Sequence, residues 1–160
     1  MDVDPHEKHL AELNIARLRY PQGDPRAAEF FDNLDRVNGA AERMAGFVWR
    51  LKDEGGNATA FRISEDPMVI ANLSVWETAQ ALEKFVFQTV HTGFYRKREA
   101  WFEKMATPSF VLWWVDAGHQ PSLAEAADRL ARLTAHGPSA EAFGWEQLAS
   151  TQLWQSARCG

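Results

Sequence analysis

The strongest constraint on the fold is the strict alternation of polarity in residues 70–77, Ile-Ala-Asn-Leu-Ser-Val-Trp-Glu. Successive side chains of a strand point to opposite faces, so this segment presents two unlike surfaces. One face carries Ala71, Leu73 and Val75, and the other carries Asn72, Ser74 and Trp76. An apolar face is typical of a strand that packs on a core, whereas amide, hydroxyl and indole groups are typical of a small-molecule cavity. A helical pattern at 78–91 follows directly, so the segment predicts a strand–helix unit.

The remaining patterns predict an α+β domain. Strands are expected at 9–18, 47–51, 68–76 and 110–115, with a short one at 60–63, and helices at 25–44, 78–91 and 94–105. A Ser-x-x-Glu capping box at Ser122 and Glu125 predicts another helix that ends at 136–138. The order of the core elements is that of the ferredoxin-like βαββαβ fold with an antiparallel sheet. We expect one domain over 1–160, with this core at 9–116 and a C-terminal helical extension at 117–160.

The ferredoxin-like plan also predicts an assembly. Its first and third strands are central neighbours, which places Asn14 and Asn72 on one face, expected to be free of helices. An uncovered sheet face must be buried by something, and a second copy of the same sheet is the simplest candidate. The sequence therefore predicts a homodimer built as a dimeric α/β-barrel.

Composition excludes several classes of function. The formal net charge of −5 argues against nucleic-acid binding, which needs a basic surface. The single cysteine, Cys159, excludes an internal disulfide and a cysteine metal cage, so no metal site is predicted. Neither a signal peptide nor an apolar run of membrane-spanning length is found, which predicts a cytoplasmic protein with no membrane contact. No hydrolase, dinucleotide or nucleotide-triphosphate motif is present.

Two groups of polar residues are candidates for a site. Asn14, Asn72, Ser74 and Trp76 share a sheet face and are interpreted as ligand contacts; the alternative is pairing across a dimer interface or at strand ends. His91, at the end of the helix that follows, is a candidate general base or axial metal ligand. Its alternative role is a favourable charge at a helix C-terminus.

Basic and aromatic residues form the other candidates. Arg98 and Trp101 share a helix face and are suited to clamping a carboxylate or phosphate and stacking a ring. The alternative is a solvated basic face that pairs with Glu99 and Glu103. Trp49 is a candidate substrate-binding residue, and core or interface packing is the alternative for it.

Four segments carry a resemblance to a known family. Residues 46–51 (GFVWRL), 72–77 (NLSVWE), 98–102 (REAWF) and 112–115 (LWWV), with Gly137-Pro138 and Ala142-Phe143 further on, resemble a bacterial domain of unknown function. That family is placed in the dimeric α/β-barrel superfamily, with antibiotic-biosynthesis-type and haem-degrading monooxygenases, muconolactone-isomerase-like enzymes and stress-response barrels.

The resemblance implies a small-molecule site. The leading hypothesis is a dimeric barrel that binds a small hydrophobic, aromatic or polycyclic ligand, as a cofactor-independent monooxygenase or tailoring enzyme. Asn14 and Asn72 would orient a substrate oxygen, Trp76 would stack on the ring and His91 would move a proton. A non-catalytic homodimeric binding or stress-response module is the first alternative.

Haem binding is the second alternative, with His91 as axial ligand. The haem-degrading branch uses a first-strand Asn, a third-strand Trp and a helical His. Asn14 and Trp76 match the first two. Phe85 stands near the position of the histidine, and His91 follows more than a turn later.

Overall fold

One antiparallel sheet carries the fold in the computed structural model, which describes residues 7–52, 66, 68–91 and 98–147, without the side chains of 87–91 and 98. Within these residues the strands are β1 (Lys8–Leu18), β2 (Phe47–Arg50), β3 (Val69–Trp76), β4 (Phe102–Glu103) and β5 (Phe110–Asp116). The helices are α1 (Ala28–Glu42), α2 (Ala79–His91), α3 (Arg98–Trp101) and α4 (Leu123–His136), with 3-10 turns at Pro25–Ala27 and Trp145–Gln147. The predicted α+β class and antiparallel sheet are confirmed.

The longest strand, β1, lies at the centre of the sheet. Strand order is β2-β3-β1, and the far side of β1 pairs with β5 along its first part and with β4 at its end. In the register of β1 and β3, Asn14 lies opposite Asn72, and Glu12 lies opposite Ser74. The predicted adjacency of the first and third strands is therefore correct.

Both faces of the sheet are covered by helices. The face that carries Leu10 and Trp76 packs against α1 and α2 through residues such as Ala41 and Leu82. The opposite face packs against Ala126, Leu130 and Leu133 of α4. The expectation that the Asn14 and Asn72 face is free of helices is wrong, because Phe30 and Leu34 of α1 lie over it. Helix α4 instead covers the apolar face, so neither face of the described sheet is left exposed for a second copy to bury.

The third predicted helix ends four residues earlier than the expected 105. It ends at Trp101, and Phe102–Glu103 pair with Leu18 and Arg17 at the end of β1. This pairing satisfies backbone groups of the edge of β1 and lays the Phe102 ring against Phe30, with centroids 4.9 Å apart. Residues 60–63 and 148–160 lie outside the described residues, and the division at 116 stays a prediction.

Side chains cap two helical segments, and the cap at Ser122 is the one that the sequence predicts. A carboxylate oxygen of Asp24 accepts a hydrogen bond from the Arg26 backbone N–H at 2.8 Å, and Ser122 Oγ accepts one from the Glu125 N–H at 3.1 Å. The Glu125 carboxylate does not close the capping box, since one of its oxygens accepts a hydrogen bond from Trp113 Nε1 and the other lies 2.7 Å from His119 Nε2. None of the described helices has the length and apolar character needed to cross a membrane.

Candidate functional site

A cavity of about 140 Å³ lies between α1 and the sheet. Its floor is formed where β1 and β3 run side by side, because the alternation of each strand turns the Asn14 and Asn72 side chains toward α1. Asn38 of α1 and Arg50 of β2 are the other polar residues on its surface. The cavity therefore has a polar floor on the face where the sequence predicts a ligand site.

The wall of the cavity is apolar. Phe30, Leu34 and Val37 follow one another at helical spacing along a single face of α1 and line it. Ile70 of β3 and Phe102 of β4 close the end of the cavity beside Phe30. A bound ring would make dispersion contacts along this wall and could form hydrogen bonds only at the floor of the cavity.

A buried hydrogen-bonded chain adjoins the floor. Trp76 Nε1 donates to Ser74 Oγ at 3.0 Å, and the Ser74 hydroxyl donates to Glu12 Oε2 at 2.8 Å. The other carboxylate oxygen, Glu12 Oε1, accepts a hydrogen bond from Asn14 Nδ2. Each of these hydrogen bonds joins residues that are two apart on one strand or lie opposite each other on β1 and β3. The pairing register of the two strands therefore determines which of these side chains meet.

The carboxyl group of Glu12 is strongly perturbed by this position. Only 4% of the residue is exposed, and burial raises its pKa to about 7. The hydrogen bonds from Asn14 and Ser74 favour the carboxylate and oppose part of that rise. Glu12 is therefore a carboxyl group that changes charge near neutral pH without contact with bulk water.

Hydrogen bonding of the floor amides is incomplete. Asn14 uses its Nδ2 on Glu12, and its Oδ1 accepts no hydrogen bond from any described residue. The Asn72 side chain makes none with the part of the chain that the structure describes. Both residues are only partly buried and line the cavity, so these groups are available to a bound molecule.

The guanidinium group of Arg50 is held at the side of the cavity. Arg50 is 8% exposed, and its Nε donates to Glu42 Oε1 at 2.7 Å. The same contact holds the pKa of the Glu42 carboxyl below its usual range. The Arg50 side chain therefore forms part of the cavity wall, and its positive charge is already paired with the Glu42 carboxylate.

The family is decided by a match over nearly the whole chain. The profile of a domain of unknown function, DUF3291, matches residues 9–159. The chain belongs to the DUF3291 family. No curated protein matches this DUF3291 sequence. The solved structure of PA3566 from Pseudomonas aeruginosa is similar to it with 13% sequence identity and a TM-score of 0.46, over 70% of this chain and 96% of that one.

The DUF3291 fold brings together only some of the residues predicted from sequence. Asn14 and Asn72 meet on the cavity floor, as predicted. Ser74 and Trp76 lie behind the floor and do not line the cavity; the Trp76 ring is stacked on Phe85 at 5.4 Å between centroids and is 1% exposed. Trp76 therefore supports the floor through Ser74 and is not in position to stack on a ligand.

The other predicted residues lie apart from the cavity or outside the described side chains. Trp49 lies opposite Val75 and packs in the cluster beneath α4, on the other face of the sheet. Trp101 is buried beside Phe30 at 5.6 Å between centroids and does not line the cavity. His91 ends α2 and Arg98 begins α3, but the side chains of both lie outside the described residues.

Sequence reasoning missed Glu12. The residue shares the strand face of Asn14, and a carboxylate between Leu10 and Asn14 on an inward-facing position is the signal that could have identified it. The sequence also gives Ser74 on the neighbouring strand, so the pair is visible once the register of the two strands is assumed.

A haem group does not fit the cavity. Haem is a macrocycle of linked pyrrole rings and is far larger than a space of about 140 Å³. Among the described residues there is no group of three or more His, Cys, Asp or Glu side chains that could hold a metal ion.

Proposed function

We propose that this DUF3291 protein binds a compact single-ring molecule in the cavity between α1 and the sheet. The main support for this proposal is that the cavity combines an apolar wall with two asparagine amides whose hydrogen bonding is incomplete. A cavity of about 150 Å³ lined by apolar side chains is known to hold benzene, so the volume here suits one ring with a polar substituent. A polycyclic ligand, which the resemblance allows, is disfavoured by the same volume.

Binding is favoured over catalysis by the chemistry of the lining. General acid–base catalysis needs a titratable group within hydrogen-bond reach of the reacting atom. The described side chains that line the cavity are apolar groups, asparagine amides and the guanidinium of Arg50, and Asn14 lies between the Glu12 carboxyl and the cavity. Cofactor-independent oxygenation stays a prediction, in which the substrate itself must supply the electron-rich carbanion.

We infer the ferredoxin-like βαββαβ fold from the order of the elements together with the sheet order β2-β3-β1-β5. The homodimeric barrel and a cytoplasmic location stay predictions. Sedimentation velocity of the full chain tests the dimer directly, and a single species at the mass of one chain would contradict it.

Titration with ring probes tests the proposed function. We expect phenol to shift the amide resonances of Asn14 and Asn72 in two-dimensional NMR spectra, and 1-naphthol, which carries a second fused ring, to bind at least about tenfold more weakly. The Ala16→Phe variant places a ring in the cavity from β1 and should abolish the phenol response. Ala131→Phe, on the exposed side of α4, is the matched control and should bind phenol as the wild type does.

Native mass spectrometry of protein purified from its own host then identifies the physiological ligand. An added mass of one small ring compound that leaves on denaturation would support the proposal. The proposal fails if phenol causes no shifts in wild type, or if Ala16→Phe is folded and still binds phenol with the wild-type affinity.

A further inference from the structure

The orientation of the Asn14 amide is fixed from behind the cavity. A carboxylate has only acceptor oxygens, so the amide can satisfy Glu12 only by presenting its NH₂ group, as it does. The carbonyl oxygen of Asn14 is thereby the end that is left for the cavity, and no described residue donates to it. The identity of the group that meets a ligand at this point is thus decided by a residue that the ligand does not touch.

We propose that Glu12 is a positioning residue that fixes Asn14 as a hydrogen-bond acceptor, and that the cavity selects rings carrying an N–H or O–H donor beside an acceptor. This inference rests on the proposed function and deepens it to a class of ligand. Asn14 supplies the specificity for the donor, and Glu12 acts through it.

The second half of the recognition comes from Asn72. This residue lies directly opposite Asn14 in the register of β1 and β3, and its NH₂ group is available. Side chains opposite each other on neighbouring strands are about 5 Å apart at Cβ, so both amides are close enough to contact the same ring. An acceptor from Asn14 beside a donor from Asn72 is complementary to the N–H and C=O groups of a cyclic amide.

The hydrogen bonds from Trp76 to Ser74 and from Ser74 to Glu12 keep the Glu12 carboxylate in place. Ser74 holds the second oxygen of Glu12, and Trp76 holds the Ser74 hydroxyl, so neither oxygen is left to rotate toward another donor. The strongly buried position of Glu12 also excludes water as a competing partner for its carboxylate oxygens. A network in which the members fix one another is suited to holding a single amide orientation.

A pair of isosteric probes tests the selection in the wild-type chain. 2-Pyridone has an N–H group beside its carbonyl, and 2-pyranone has a ring oxygen at the same position. At about pH 8, above the Glu12 pKa of about 7, we expect 2-pyridone to bind about tenfold more tightly than 2-pyranone by NMR titration. The 2-pyranone oxygen would face the Asn14 carbonyl oxygen with no proton between them.

The Glu12→Leu variant separates positioning from stability. Without the carboxylate the Asn14 amide can rotate and offer either end, so the ratio of the two affinities should fall toward one. A loss of stability alone would weaken both probes equally and leave the ratio unchanged. Glu146→Gln, at an exposed carboxylate, should keep the wild-type ratio.

The outcomes distinguish the two proposals. Equal binding of both probes by wild type overturns the inference about the donor while the proposed function stands. A tenfold ratio that persists in folded Glu12→Leu overturns the role of Glu12. If neither probe nor phenol binds to wild type, the proposed function itself fails. Should Glu12→Leu not fold, Glu12→Met is the second variant, because it keeps the length of the side chain without the carboxylate; a tenfold ratio that persists in folded Glu12→Met overturns the role of Glu12.

Discussion

At the scale of single residues, Glu12 lowers the stability of the fold while it fixes the orientation of the Asn14 amide. A carboxylate removed from water is disfavoured unless its oxygens are hydrogen-bonded, and here the hydrogen bonds from Ser74 and Asn14 compensate for only part of the burial. The raised pKa means that the folded chain binds a proton more tightly than the unfolded chain does. Glu12 therefore contributes to the dependence of stability on pH.

The sign of this linkage follows from the direction of the shift. Between the ordinary pKa of 4.5 and the folded value of about 7, the folded state holds more protons, so the free energy of unfolding falls as pH rises. The difference corresponds to on the order of 3 kcal/mol. We expect Glu12→Gln to gain that much stability relative to wild type between about pH 4 and pH 8, measured by chemical denaturation across the range.

Glu146→Gln is the control for this measurement because its carboxylate is exposed. It should retain the wild-type dependence of stability on pH. Parallel pH profiles for wild type and Glu12→Gln would show that Glu12 does not carry the linkage.

At the scale of elements, the connection from α1 to β2 depends on one glycine. Gly46 has φ of +90°, and a Cβ built on it would lie 2.5 Å from the Ala81 Cβ of α2. Its carbonyl oxygen accepts a hydrogen bond from the Glu77 N–H at 2.7 Å, at the point where β3 leads into α2. The turn therefore joins both helices of this face of the sheet, and it allows no side chain.

Gly118 is the matched control for that turn, because its φ of +91° is equally unfavourable for other residues but its surroundings are open. We expect Gly118→Ala to lower the free energy of unfolding by about 1–2 kcal/mol, the conformational cost alone. Gly46→Ala should cost at least about 1 kcal/mol more, because the new methyl group collides with α2. Equal losses in chemical denaturation would contradict the close approach of the Gly46 turn to Ala81 of α2.

The sequence predicts these elements well because their signals are local. Alternation identifies β1 and β3, helical spacing identifies α1, and Asp24 and Ser122 mark helical starts through their own side chains. The partition of helices between the faces is not local: α4 covers the Leu13 face only through tertiary packing. Glu12 was missed for the same reason, since its meaning depends on Ser74, which is far away in sequence and directly opposite in the sheet.

At the scale of the whole molecule, the two faces of β1 belong to two layers with different roles, one beneath α4 and one beneath α1. Its odd-numbered residues, such as Ala11 and Leu13, pack toward α4 in a fully buried apolar core. Its even-numbered residues, Glu12, Asn14 and Ala16, face α1 and build the cavity and the network behind it. The cavity lies in the α1 layer and the larger apolar core lies beneath α4, so we expect the α4 layer to stabilise the fold and the α1 layer to hold the site.

Matching Leu→Ala substitutions on the two faces should distinguish the layer that stabilises the fold from the layer that binds phenol. Leu13 has no exposed surface, so Leu13→Ala should lower the free energy of unfolding by about 3 kcal/mol, through lost contacts and a new cavity. Its phenol affinity, measured on the folded fraction, should stay within about twofold of wild type because no atom of the site is removed. Leu34→Ala, on the cavity wall, should change phenol affinity severalfold with a smaller loss of stability, since Leu34 is only half-buried. If Leu13→Ala weakened phenol binding as much as Leu34→Ala, the two layers would be one cooperative site, and the sheet would transmit changes between its faces.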